Sequence, residues 1–104
     1  MRRFGQHAVL KEDKVEEYTA LHVAVWPEVL DVISACNLHN YSIYLSGREL
    51  FAYFKYTGSD YDADMQRMEQ SEIMQRWWTY TKPCFLHHDE HEYYVDWKEI
   101  FYLK

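Results

Sequence analysis

The sequence predicts an α+β sandwich of four antiparallel strands with its helices on one face. Three observations carry this. Strand-like stretches stand near both ends of the chain, a glycine-bearing hairpin lies in the middle, and a helical stretch fills each interval between them. The resulting order, β-α-β-β-α-β, suits a split βαβ, ferredoxin-like arrangement. With 104 residues, 48% of them hydrophobic, the chain is sized for one domain over 1–104 with a small core.

Residues 3–10 read as the first strand, apolar on average, with His7 as its one odd residue. Residues 11–14 are charged and turn the chain. Asp13 is positioned to cap the next helix, with Glu16 three residues later to complete a capping box and Glu17 adding charge that suits a helix N-terminus. That helix is expected to run to Cys36 with a kink or break at Pro27, whose ring collides with the carbonyl of Val23 and which has no amide proton. At about 100° per residue, Val15, Tyr18, His22, Val25, Trp26, Val29, Val32, Ile33 and Cys36 share one stripe roughly 120° wide. Glu17, Ala20, Ala24 and Asp31 lie off it. A helix that turns this stripe toward a sheet turns Tyr18 and His22 inward. A buried imidazole must be hydrogen-bonded or lose ~1 to 3 kcal/mol to desolvation, so His22 is either a satisfied core residue or a working one.

Asn37 and Leu38 end the helix, and residues 39–45 and 49–56 read as two strands joined across Ser46-Gly47-Arg48. Both faces of this hairpin carry large side chains: Tyr41, Ile43, Leu45, Leu50 and Phe54 on one, Tyr44, Phe51 and Tyr53 on the other. A sheet apolar on both faces needs two covers, the helices on one side and a second copy of the chain on the other. Residues 57–60 form a loop in which Ser59 or Asp60 can cap a helix over 61–81, with Ser71 as its natural break and Pro83 closing it. Residues 85–94 are acidic and histidine-rich and read as a loop, and residues 95–103 as the last strand.

Ten Tyr and four Trp supply more amphipathic aromatic surface than a core of this size needs. Rings of this type suit ligand pockets and subunit interfaces. A net charge of −6 argues against nucleic acid and against an anionic membrane, both of which reward basic patches. The longest apolar runs are a few residues and MRRFGQH has no hydrophobic signal segment, so a cytoplasmic protein is expected. Cys36 and Cys84 form no spaced motif and read as buried reduced thiols. His87, His88, Asp89 and His91 match no closed zinc pattern and read as a solvated loop, so no metal site is expected.

Three clusters, LHVAVWPE at 21–28, HNYSIYL at 39–45 and QRWWTY at 75–80, together with the terminal EIFYL, resemble the L-rhamnose mutarotase family. The resemblance covers nearly the whole chain in the same element order. It implies a cofactor-free isomerase of the dimeric α/β-barrel type that interconverts the α and β anomers of a 6-deoxy sugar. It further implies that His22 is the proton donor and that Tyr18, Tyr41, Trp77 and Trp78 contact the sugar. The chain departs from the family just after the histidine, where Val23-Ala24 replaces the usual Asn-Pro.

Mutarotation opens a hemiacetal and recloses it on the other face of the carbonyl. One proton goes to the ring oxygen and one leaves the anomeric hydroxyl. An imidazole with reference pKa ~6.5 can do either near neutrality. Tyr18 or Tyr41 can complement it as a relay or serve as a donor to a sugar hydroxyl. Trp77 and Trp78, adjacent on a helix, point ~100° apart, so one can be core while the other lines a pocket. An indole face suits the C–H surface of a neutral monosaccharide. Three alternatives stand beside this reading: a mutarotase for L-fucose, a non-catalytic ligand-binding or dimerisation module, and a cofactor-free oxygenase on the same fold.

Overall fold

The computed structural model describes residues 1–86 and 93–104. Strands β1 (Arg2–Val9), β2 (Leu38–Ser46), β3 (Glu49–Tyr56) and β4 (Val95–Trp97) form one antiparallel sheet in the order β2-β3-β1-β4. Four helices, α1 (Val15–Val23), α2 (Pro27–Ala35), α3 (Tyr61–Glu69) and α4 (Glu72–Thr81), complete the predicted element order. The fold class read from the sequence is the one observed.

Alternation along β1 and β3 sorts the two faces. Phe4, Ala8, Leu50, Ala52, Phe54 and Tyr56 are buried on one side, where Phe4, Phe54 and Tyr56 pack with Val29, Met68, Met74 and Trp77 from the helices, and Ala8 and Leu50 with Tyr18 and Phe85. The opposite face carries Gly5, His7, Phe51, Tyr53 and Trp97. There the His7 ring stacks on Trp97 at 4.9 Å and Phe51 lies 5.8 Å from the same indole. Gly5 makes room for this layer, since a Cβ on it would stand 3.0 Å from the Phe51 ring.

The helical stripe is buried or half-buried at every one of its nine positions, while Glu17, Ala20, Ala24 and Asp31 are exposed. Pro27 breaks the helix outright: α1 ends at Val23, and Pro27 becomes the first residue of α2, where a missing amide proton costs nothing. The expected capping box does not form. Residues Glu12–Lys14 take a 3-10 turn closed by the Lys14 amide on the Lys11 carbonyl at 3.0 Å. The helix therefore begins one residue later than expected, at Val15, with Lys14 at its cap, which has no side-chain oxygen to offer, and Asp13 caps nothing. Further along, Asp60 caps α3 through Ala63 and Ser71 caps α4 through Met74, so the helix over 61–81 is two.

The last strand is much shorter than residues 95–103. β4 stops at Trp97, opposite Gly5. Continuing in this register brings position 100 opposite Arg2, where β1 begins, so the remaining residues have no ladder to join. The chain leaves the sheet held by side chains, Arg3 bonding Glu99 at 2.8 Å and stacking on the Tyr102 ring at 3.4 Å.

β2 carries an irregularity that alternation does not reveal. His39 pairs with Lys55 and Ser42 with Tyr53, so Asn40 and Tyr41 together oppose Phe54. Asn40 takes the left-handed region at φ 53°, and its carbonyl accepts the Ser42 hydroxyl at 3.2 Å. This is a β-bulge. It reverses the facing of the strand, so that both Leu38 and Tyr41 point to the helical side.

Candidate functional site

The buried residues fall into two clusters, one around Val29, Phe54 and Trp77, the other around Leu10, Tyr18, Leu50 and Phe85. A cavity of about 830 Å³ opens between them, lined by members of both. Its size is that of a small-ligand site. It is open enough to admit solvent and mostly apolar in its lining, with a few convergent polar groups.

His22 projects into it from the last turn of α1. Its Nδ1 stands 2.8 Å from the backbone carbonyl of Tyr18, one turn earlier. A carbonyl oxygen only accepts, so Nδ1 carries the proton and the neutral ring offers Nε2 as its acceptor. This is the carbonyl four residues back on the same helical face.

Aromatic rings hold the imidazole on two sides. Tyr18 lies 4.3 Å away, tilted, and Trp77 packs edge-on at 5.6 Å. Trp77 is itself fixed by Trp26 at 5.2 Å and is 6% exposed, so it is at once core and cavity wall. Trp78 points away from it, as adjacent helical positions must, yet also lines the cavity. It is half-buried, and the Lys82 ammonium sits 4.6 Å over its ring.

Tyr41 reaches the cavity from the sheet through the bulge and stacks on Phe54 at 5.2 Å. Phe54 continues the stack to Phe4 at 4.8 Å, and Phe4 to Tyr61 at 4.7 Å. Tyr41 is 39% exposed, and burial raises its phenol well above the ordinary value. Burial raises the Tyr18 phenol as well, against the opposing pull of its hydrogen bond with Tyr94. Both therefore stay neutral, and each can donate one proton and accept at its lone pairs.

The five residues singled out from the sequence, Tyr18, His22, Tyr41, Trp77 and Trp78, thus meet around one cavity, although they come from three separate elements. Sequence reasoning missed Tyr61 and Tyr94, which also line it. Tyr61 stood at a helix start and Tyr94 at the end of the stretch read as a histidine-rich loop, so neither fell on a stripe. Val23 and Ala24 are exposed and do not line the cavity, so the departure from Asn-Pro leaves its wall untouched. Among the described residues no group of three or more His, Cys, Asp or Glu is arranged to hold a metal ion; His87, His88, Asp89 and His91 lie outside the described residues. Cys36 and Cys84 are both buried and free. No helix among the described residues is long and apolar enough to cross a membrane.

Fold and site together define a ferredoxin-like domain with a cavity walled by aromatic rings around one oriented histidine. The L-rhamnose mutarotase family model matches residues 3–103. The L-rhamnose mutarotase of Bacillus subtilis is 35% identical, covering 99% of each chain. The chain belongs to the L-rhamnose mutarotase family. Its fold superposes on that of an L-rhamnose mutarotase from Formosa agariphila with TM-score 0.80, at 21% identity and full coverage of both chains. The tetracenomycin F2 cyclase of Streptomyces glaucescens shares the fold at TM-score 0.66 and 7% identity, covering 100% of this chain and 97% of its own.

Proposed function

We propose that the chain is a cofactor-free isomerase that interconverts the α and β anomers of L-rhamnose, with His22 as the group that moves the proton. The observation that carries this reading is the 2.8 Å contact from His22 Nδ1 to the Tyr18 carbonyl, inside a cavity with room for a monosaccharide. Family membership at full length supports it independently.

With Nδ1 committed, Nε2 is the atom that exchanges a proton with the sugar. Protonated, it gives a proton to the ring oxygen while solvent water in the open cavity takes the proton of the anomeric hydroxyl. On reclosure at the other face the neutral ring takes its proton back from the hydroxyl that attacks the carbonyl, and water returns one to the new anomeric oxygen. The Tyr18 carbonyl holds the imidazole in one orientation in both states. Tyr18 and Tyr41, kept neutral by burial, donate to sugar hydroxyls, while Trp77 and Trp78 cover the C–H face and the methyl group. A positioned acid or base of this kind is worth about 10² to 10⁴ in rate.

The reading includes one domain over the whole chain, acting in the cytoplasm as a homodimer. The face of the sheet away from the helices supports the dimer: Tyr44 is 62%, Phe51 37% and Trp97 56% exposed there. Three rings on one exposed sheet face suit an interface between subunits. Exchange of L-rhamnose anomers, followed by proton NMR with and without the protein, tests the function. Acceleration is expected; exchange of neither L-rhamnose nor L-fucose above the rate in buffer would overturn it.

A further inference from the structure

Tyr94 stands beside the site yet belongs to none of the clusters that carry the family resemblance. Its hydroxyl lies 3.0 Å from that of Tyr18, and both residues line the cavity. The two come from opposite sides. Tyr18 sits on α1, whereas Tyr94 immediately precedes β4, whose first residue, Val95, pairs with His7 of β1.

Phe85 fixes the two rings relative to one another, packing edge-on against Tyr18 at 5.2 Å and against Tyr94 at 5.4 Å. The Tyr18 ring also leans on His22. With their rings held in this way, the two hydroxyls have little freedom to part. A neutral phenol has one proton and two lone pairs. Once one proton is used in the bond between the hydroxyls, the pair retains a single proton for any third partner.

Burial raises both phenols, and Tyr18 raises Tyr94 further, so the pair stays un-ionised around neutrality. Tyr18, Tyr41 and Tyr94 all line the same mostly apolar cavity. A ligand entering beside His22 meets the pair of Tyr18 and Tyr94.

We propose that Tyr94 is a positioning residue of this site, holding the Tyr18 hydroxyl beside His22 so that the pair presents one fixed donor to a sugar hydroxyl. The inference rests on the isomerase reading above and adds to it a residue that acts through Tyr18. Without the Tyr94 oxygen, the Tyr18 hydroxyl is free to rotate, and the sugar must order it on binding.

The test compares wild type, Tyr94→Phe, Tyr18→Phe and the double variant in L-rhamnose anomer exchange by NMR, with the melting temperature of each measured alongside. Tyr94→Phe is expected to lower kcat/KM about ten-fold, the worth of one neutral hydrogen bond. Adding it to Tyr18→Phe should cause no further loss, because its effect passes through that hydroxyl. Wild-type kinetics in Tyr94→Phe, or losses that multiply in the double variant, would overturn the proposal; a purely structural role would shift melting alone. If wild type itself does not accelerate exchange, the isomerase reading fails by itself, and the pairing is then read without sugar. A protected phenol hydroxyl proton that disappears in Tyr94→Phe supports it, and one that persists overturns it.

Discussion

The Nδ1 of His22 lies 2.8 Å from the carbonyl oxygen of Tyr18, so the ring of the one residue is oriented by the backbone of the other. The contact fixes the tautomer as well as the angle, since only a protonated Nδ1 can bond a carbonyl. Nitrogen-15 NMR of the neutral ring is therefore expected to find the proton on Nδ1. A proton on Nε2 would contradict the assignment of Nε2 as the atom that exchanges with the sugar.

The two adjacent tryptophans should respond differently. Trp77 is 6% exposed and touches both His22 and Trp26, so Trp77→Ala is expected to destabilise the fold by about 3 to 5 kcal/mol and to lower activity with it. Trp78 is half-buried beneath Lys82, and Trp78→Ala should lose sugar affinity with a smaller loss of stability. Denaturant titration beside L-rhamnose titration separates the two. Equal destabilisation by both substitutions would contradict this division.

Asn40 holds the bulge that turns Tyr41 to the cavity. A β-branched side chain resists φ 53°, so Asn40→Val should cost roughly 1 to 2 kcal/mol and weaken sugar binding, whereas Asn40→Gly should be close to wild type. If Asn40→Val bound L-rhamnose as tightly as wild type, Tyr41 would not depend on the bulge for its position.

Much of this arrangement was legible in the sequence, and the failures share a cause. The 49–56 strand, the break at Pro27, the helical stripe and the caps at Asp60 and Ser71 are local features, set by side chains within a few residues of one another. The bulge at Asn40 and the early end of β4 depend on what the neighbouring strand offers, Phe54 in one case and the start of β1 in the other. Tyr94 reaches Tyr18 across 76 positions, and no periodicity records such a pairing. The missing capping box is a different failure: Asp13 and Glu16 have the right spacing, but a 3-10 turn takes up Asp13.

Stability toward acid should rest on Asp64. Its carboxylate accepts the Tyr56 hydroxyl, the Asn37 amide and Arg67, joining β3 and the end of α2 to α3. Gly58 lets the intervening loop pass, since a Cβ there would collide with the Tyr56 hydroxyl. These bonds, Tyr56 first, hold the carboxyl below its ordinary value of 3.8. The ionised form is favoured in the folded state, so its contribution is complete above that value and is lost as pH falls through the lower folded one. Acid unfolding of wild type and Asp64→Asn is expected to show a steeper loss below pH ~4 in wild type. Parallel curves would contradict the role given to Asp64.

Sedimentation tests the exposed sheet face. A dimer is expected at micromolar concentration, and a charge placed among the rings, as in Phe51→Glu or Tyr44→Lys, should yield monomers. A wild type that is monomeric and stable would contradict the proposed cover.

The most direct measurement is L-rhamnose anomer exchange by proton NMR, with wild type and His22→Ala compared at equal concentration and L-fucose as the second sugar. The account predicts faster exchange with wild type, preferring L-rhamnose, and a loss of about 10² to 10⁴ in His22→Ala with the fold intact. Undiminished exchange in His22→Ala would contradict it.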